Sequence, residues 1–275
     1  MKKTVYHSKS IRNRILFFTL SAILGMCLLI SLFSYYIFQH YLQNTLIQST
    51  ETSLRLLSES IDSSIDDVYR LVRYCQTDSG IAKYIEHNPN PGSVLSVSTY
   101  DSFSEECSRN GAYNYMPRIA VVSQEHYLQV VATTYSSTAD LAEQLPLLPY
   151  YEELLTADDY DFSTGIIADP FHRAGRKVLP ILRPITYQYN NKQAGYLFIE
   201  VSTDLFTTPL KDYSCPEDSY LYLTIAGHSY IYEDNELREY EPEYNLKEDM
   251  SSHSLTGDTQ ISRIHCSAKG EQILV

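Results

Sequence analysis

Tryptophan is absent from this chain, no aspartate or glutamate occurs before Glu51, and no charge of either sign occurs between Ile15 and Phe38. Each absence narrows the reading. A long run without charge is not a solvated face. In hydrocarbon a backbone must close its own hydrogen bonds, and about 20 apolar residues in a helix suffice to cross. Ile15–Phe38 is long enough, which predicts a transmembrane helix over 15–38. Lys2, Lys3, Lys9, Arg12 and Arg14 precede it with no acid among them. The positive-inside bias then places a stub, residues 1–14, in the cytoplasm and residues 39–275 outside the cell. Tyr35, Tyr36 and Phe38 stand at the far end, where amphipathic rings favour the headgroup layer. A cleaved leader has a shorter apolar core and small residues at its cleavage site. The bulky Tyr35-Tyr36-Ile37-Phe38 ending argues against one.

All 34 acidic residues lie beyond the apolar run, and the whole chain carries a formal net charge of −13. Such a surface repels phosphate backbones, which excludes DNA and RNA as partners. Signatures of catalysis are missing: there is no Gly-x-Ser-x-Gly, His-Glu-x-x-His, Walker loop or Cys-x-x-Cys. His126, His172, His228 and His265 are scattered. Asp158, Asp159 and Asp161 are clustered, but without the glycine and distal glutamate of an EF-hand loop. No cofactor, metal site or catalytic residue is expected. Cysteine is sparse: Cys27 sits in the apolar run, and Cys75, Cys107, Cys215 and Cys266 lie beyond it. Four cysteines outside the cytosol permit two disulfides in three pairings, or buried free thiols.

What is abundant is tyrosine, with 25 residues. Tyrosine supplies packing area with a polar tip and suits strands, pocket walls and interfaces. Proline and glycine do not occur from Gln39 to Gln76. Within that stretch Leu54, Leu57, Ile61, Ile65, Val68, Val72 and Cys75 recur at steps of three and four, an amphipathic helical stripe. A long helix over 39–77 is predicted, continuing the membrane span. The stripe suits packing on the domain's own sheet, and a parallel dimer seam is the alternative on another face.

Asp78-Ser79-Gly80 breaks that helix, and residues 93–110 read as another. Arg118–Ser123 and Tyr127–Ala132 read as a strand hairpin. Residues 137–155 read as short helices interrupted by Pro146 and Pro149. Strands follow at Thr164–Ala168, Lys177–Tyr187 and Ala194–Ser202, then a short helix at Thr203–Lys211 capped by Thr203 or Ser202. A second sheet begins with a hairpin over 220–232. It continues at 261–266 and again at the C-terminal end, and it is read as incomplete. The fold class is α+β, with antiparallel sheets following one long helix. The divisions expected are 78–212 for a membrane-distal module and 213–275 for a membrane-proximal one.

This order resembles a double Cache sensor region, two PAS-like modules hung on one long helix. Ile11-Arg-Asn-Arg-Ile-Leu16, Ser34-Tyr-Tyr36, Leu57-Ser-Glu-Ser-Ile-Asp-Ser-Ser-Ile-Asp-Asp67 and Gly195-Tyr-Leu-Phe-Ile-Glu-Val-Ser202 followed by Leu205-Phe206 resemble the YesM-like group of bacterial sensor histidine kinases. The resemblance spans about residues 10 to 235 and implies a bacterial cell-membrane location. In that family a second membrane helix, a HAMP linker and a kinase module follow, and the output is phosphorylation of a response regulator. This chain holds none of them. It is therefore read as the sensory part of a longer protein. Its expected partners are a small-molecule ligand or an extracellular binding protein, the lipid bilayer, and a second copy in a homodimer. A tethered binding or scaffold protein and the input domain of a chemoreceptor or cyclase are the alternatives.

Double Cache domains that bind amino acids carry Tyr-x-x-x-x-Arg-x-Trp-Tyr and a later strand Asp. In the nearest match here Glu143 stands at the first tyrosine, Leu148 at the arginine, Tyr150 at the tryptophan and Tyr151 at the last tyrosine. Glu200 stands at the strand Asp. The carboxylate clamp is thus missing. Arg183 could replace it, since a guanidinium matches carboxylate geometry, or could form an edge salt bridge. Glu200 could point to solvent or pair with Arg183, and Asp169 is either a rim residue or the turn-former before Pro170. The candidate ligand-binding residues are Tyr150, Tyr151, Asp169, Arg183 and Glu200.

Overall fold

The computed structural model describes residues 4–131, 141–156, 162, 164–171, 175–186, 193–213, 221–240, 253–256, 259–266 and 271–274. The cluster at Asp158–Asp161, Cys215 and the side chain of Cys266 lie outside the described residues. The chain divides into two compact units, Met1–Thr52 and Ser53–Val275.

Helix α1 runs Thr4–Thr77. Within the first unit its large apolar side chains from Ile11 to Phe38 are exposed. Among the described residues it is the one helix long and apolar enough to cross a membrane.

In the second unit the same helix changes character. Of the predicted stripe, Leu54, Ile61, Ile65, Val68, Val72 and Cys75 are buried, and Leu57 packs half-buried against them. Burying one such side chain contributes roughly 1.5–3 kcal/mol. The stripe therefore holds this part of α1 onto the domain.

Asp78 ends α1 and caps α2 (Ser79–His87), its carboxylate accepting from the backbone N–H groups of Gly80 and Ile81. Asn88, at φ 44°, closes α2 in the left-handed region. Helix α3 (Val94–Arg109) starts at Ser93, whose hydroxyl accepts from Ser96 N–H at 3.2 Å.

A sheet follows: β1 (Arg118–Val122), β2 (Tyr127–Val131), β3 (Ile167–Ala168), β4 (Lys177–Thr186) and β5 (Gln193–Ser202). Between β2 and β3 lie α4 (Leu141–Gln144), a 3-10 turn at Leu145–Leu147 and α5 (Tyr151–Thr156). The strand order is β2-β1-β5-β4-β3, and every pairing is antiparallel. Helix α6 (Asp204–Lys211) closes this half. Ser202, rather than Thr203, supplies its side-chain cap, accepting from Asp204 N–H.

Strand side chains alternate between faces. On one face Ile119, Val121, Leu179, Ile181, Leu197, Ile199 and Val201 join the α1 stripe in one core. On the other, Ala120, Val122, Leu182 and Phe198 meet Leu141, Leu145 and Leu154 of the short helical segments. The sheet is thus covered on both sides.

The second sheet comprises β6 (Leu221–Ile225), β7 (His228–Glu233), β8 (Glu236–Glu239), β9 (His253–Thr256), β10 (Thr259–Cys266) and β11 (Glu271–Leu274), in the order β8-β7-β6-β11-β10-β9. It has two strands more than the sequence indicated, β8 and β9. Both are short, and β8 is mostly charged, so neither carries an apolar alternation. The two sheets touch through Tyr230, whose hydroxyl accepts from Ile166 N–H at 2.8 Å.

Candidate functional site

The site is built on the sheet face opposite α1. Antiparallel pairing of β1 with β5 sets Arg118 directly across from Glu200. Parity then puts both side chains on the face that carries Ala120 and Phe198. Both are fully buried, and Arg118 Nε lies 3.3 Å from Glu200 Oε2. The guanidinium also stacks over the Phe171 ring, with Cζ at 4.7 Å from the centroid. Phe171 is held in turn edge-on against Phe198 at 5.9 Å.

Asp169 and Arg176 flank the turn between β3 and β4. One oxygen of Asp169 accepts from Phe171 N–H at 2.8 Å, and the other accepts from Arg176 Nη2 at 2.8 Å. The first bond is an Asx turn, which places Phe171 beneath Arg118. The second anchors a partly exposed arginine to a buried carboxylate.

Four side chains in this cluster hold polar atoms without a hydrogen-bonding partner in the protein. The atoms are Nε, Nη1 and Nη2 of Arg118, both carboxylate oxygens of Glu200, the hydroxyl of Tyr150 and Nε of Arg176. All are buried. A buried polar group without a partner costs about 1–3 kcal/mol, more when charged, so this cluster is costly to the folded protein as it stands. Burial drives the Glu200 carboxyl up to about 8; Arg118 opposes the shift and Asp169 adds to it. Burial also raises the Tyr150 phenol, with Glu200 and Asp169 adding to the shift.

Four of the five residues expected from the sequence meet here. Tyr150, Asp169 and Glu200 are in the cluster, and Tyr151 stands beside it, edge-on to Tyr196 at 6.0 Å. Arg183 does not join them. It follows the parity of Ile181 and Leu179 and points to the α1 side of the sheet. Its Nη1 donates to the carbonyl of Leu182 at 2.9 Å. Neither alternative read for Glu200, solvent or Arg183, holds: it is buried and its charged neighbour is Arg118. That residue was missed because it opens an apolar strand and reads as a boundary cation. The available signal was a lone arginine in a five-residue strand buried throughout.

No protein-family model matches the chain, and no curated protein matches it in sequence. Solved structures do match. The extracellular domain of vpHK1S-Z8, assigned as a histidine kinase, is similar with a TM-score of 0.51 at 13% identity, over 83% of this chain and 89% of that one. A domain of a sensory box/GGDEF family protein from Vibrio parahaemolyticus is similar with a TM-score of 0.51 at 12% identity, over 82% of this chain and 93% of that one. What is shared at such identity is the fold. The α+β architecture of this chain, a long N-terminal helix with antiparallel sheets, is the one those two domains share.

Proposed function

We propose that this chain is the extracellular ligand-binding region of a membrane-anchored bacterial receptor, of double Cache type and of the YesM-like histidine kinase group. Residues 15–38 cross the membrane with the N-terminus in the cytoplasm. Residues 39–77 form the signalling helix, 78–212 the distal module that binds ligand, and 213–275 the proximal module. The ligand sits between the sheet and the α4–α5 segment, against Arg118, Glu200, Asp169, Tyr150 and Tyr151. Binding biases a small shift of α1, within a dimer, toward the membrane. A ligand moves such an equilibrium only by its difference in affinity for the two states, with coupling typically about 1–3 kcal/mol.

One observation carries this reading. Arg118 is fully buried, yet none of its three guanidinium nitrogens makes a hydrogen bond in the protein. A protein that keeps such a cation in its interior needs an acceptor from outside.

A second output is favoured by the likeness to a sensory box/GGDEF family protein. The same outer domain would then feed a cyclase in place of a kinase.

The test is a thermal-shift screen of the full chain in nanodiscs against a library of small metabolites, with Arg118→Met alongside. At least one compound raises the melting temperature of the parent and leaves the variant unmoved. A library that shifts neither, or both equally, removes the reading.

A further inference from the structure

We propose that Arg118 holds the carboxylate of a small organic monoanion and that this anion enters together with one proton, which resides on Glu200. The inference rests on the site reading above and names its ligand class.

Arginine presents its N–H donors in a planar fork that fits a carboxylate with two parallel hydrogen bonds. None of the Arg118 guanidinium nitrogens has a hydrogen-bonding partner in the protein; Nε has the Glu200 carboxyl beside it at 3.3 Å, which leaves the prongs Nη1 and Nη2 for a ligand. A carboxylate placed on those prongs satisfies both, while the Phe171 ring holds the guanidinium plane in place.

That placement has an electrostatic consequence. The groups facing Glu200 are Arg118 on β1, Asp169 and Arg176 at the β3–β4 turn, and Tyr150 ahead of α5. Across from it on β4 stands Pro180, which does not titrate. Both oxygens of Asp169 accept hydrogen bonds, one of them from Arg176, so in the count that follows it stands as the carboxylate of that ion pair. With Glu200 neutral, two guanidinium groups and one carboxylate leave a single positive charge, which one monoanion cancels. With Glu200 ionised that charge is already cancelled, and the newcomer would share Arg118 with a second buried carboxylate. Two carboxylates in one buried place do not both stay ionised. The proton comes from solvent and ends on a Glu200 oxygen. No covalent bond other than that O–H forms or breaks. Burial already favours the protonated form near neutral pH. The Tyr150 hydroxyl supplies a further donor or acceptor for a substituent on the anion.

The experiment is calorimetric titration of the full chain in nanodiscs with formate, acetate, propionate, lactate and benzoate. It is run from pH 6 to pH 9 in two buffers of different ionisation enthalpy. At least one of these anions binds, and its affinity falls about tenfold per pH unit above about pH 8. The two-buffer comparison gives close to one proton taken up per site at pH 9 and little at pH 6. Glu200→Gln abolishes the proton uptake and flattens the pH profile, and Arg118→Met weakens binding at least tenfold. Affinity independent of pH with no proton uptake overturns the proposal, and the parent protein alone decides this if a variant fails to fold. If neutral or cationic compounds bind in an Arg118-dependent way and the carboxylates do not, this inference falls and the receptor reading stands. If no compound of any class binds, both fall.

Discussion

Arg118 and Glu200 face each other across β1 and β5, both with no exposed surface, at 3.3 Å between Nε and Oε2. Neither is adjacent in sequence to the other's strand. The pair is long-range, buried and incompletely satisfied, and the first two predictions test what holds it there.

Replacing Arg118 with methionine removes the counter-charge of a buried carboxyl. At pH 9, where Glu200 is ionised, the cost is about 3–5 kcal/mol, as for other broken buried pairs. At pH 6 Glu200 is protonated and little is lost, since the variant also removes a cation with unmet donors. Urea unfolding of parent and variant at both pH values checks this. An equal cost at pH 6 and pH 9 would contradict it.

Glu200 also imprints a pH dependence on stability. Its carboxyl rises from 4.5 to about 8 on folding, so the folded protein holds the proton more tightly than the unfolded chain. The contribution is fully present below about pH 4.5 and is lost progressively up to about pH 8. Relative to Glu200→Gln, the parent loses stability over that window. Denaturation midpoints of the two proteins at pH 5, 6.5 and 8 give the difference, and parallel profiles would assign the effect elsewhere.

Tyr230 ties the two sheets. Tyr230→Phe leaves Ile166 N–H without its acceptor and destabilises by about 1–3 kcal/mol. Gly165→Ala is worse, because a Cβ there meets the Tyr230 hydroxyl and the His228 ring. The double variant is less damaged than the sum of the two, since removing the hydroxyl frees part of that space. Additive losses would show that the two residues do not share one contact.

Cys75 and Cys107 are buried free thiols in the same core. Burial pushes the Cys107 thiol up to about 12, and that of Cys75 well above its ordinary value. The thiolate is the reactive form. Neither therefore reacts with a disulfide-exchange reagent at pH 8 in the folded protein, and both react in concentrated urea. Rapid labelling of the native chain, counted by mass, would show the core to be open.

The long helix and its buried stripe were readable because a 3.6-residue period survives whenever one helix face is buried. Hairpins were readable from turn residues between apolar runs. The site was readable only in part, for a reason specific to this sheet. β1 is buried throughout, and β4 is buried from Val178 to Arg183. A strand covered on both faces loses its alternation, so the sequence alone could not say which way Arg183 points. Nor could it say that Arg118 meets Glu200, because strands close in the sheet are far apart in the chain. Tyr150 and Tyr151 were picked out by motif position, and Asp169 by its turn; the structure sets all three near Glu200. Each owes its place to local geometry.

β5 is the seam between the two halves of this molecule's business. Phe198 and Glu200 look toward the buried charges, while Ile199 and Val201 rest in the core that includes α1. One peptide unit is all that parts them. A backbone displacement at Glu200 is therefore shared directly by the side chains that pack on the opposite face.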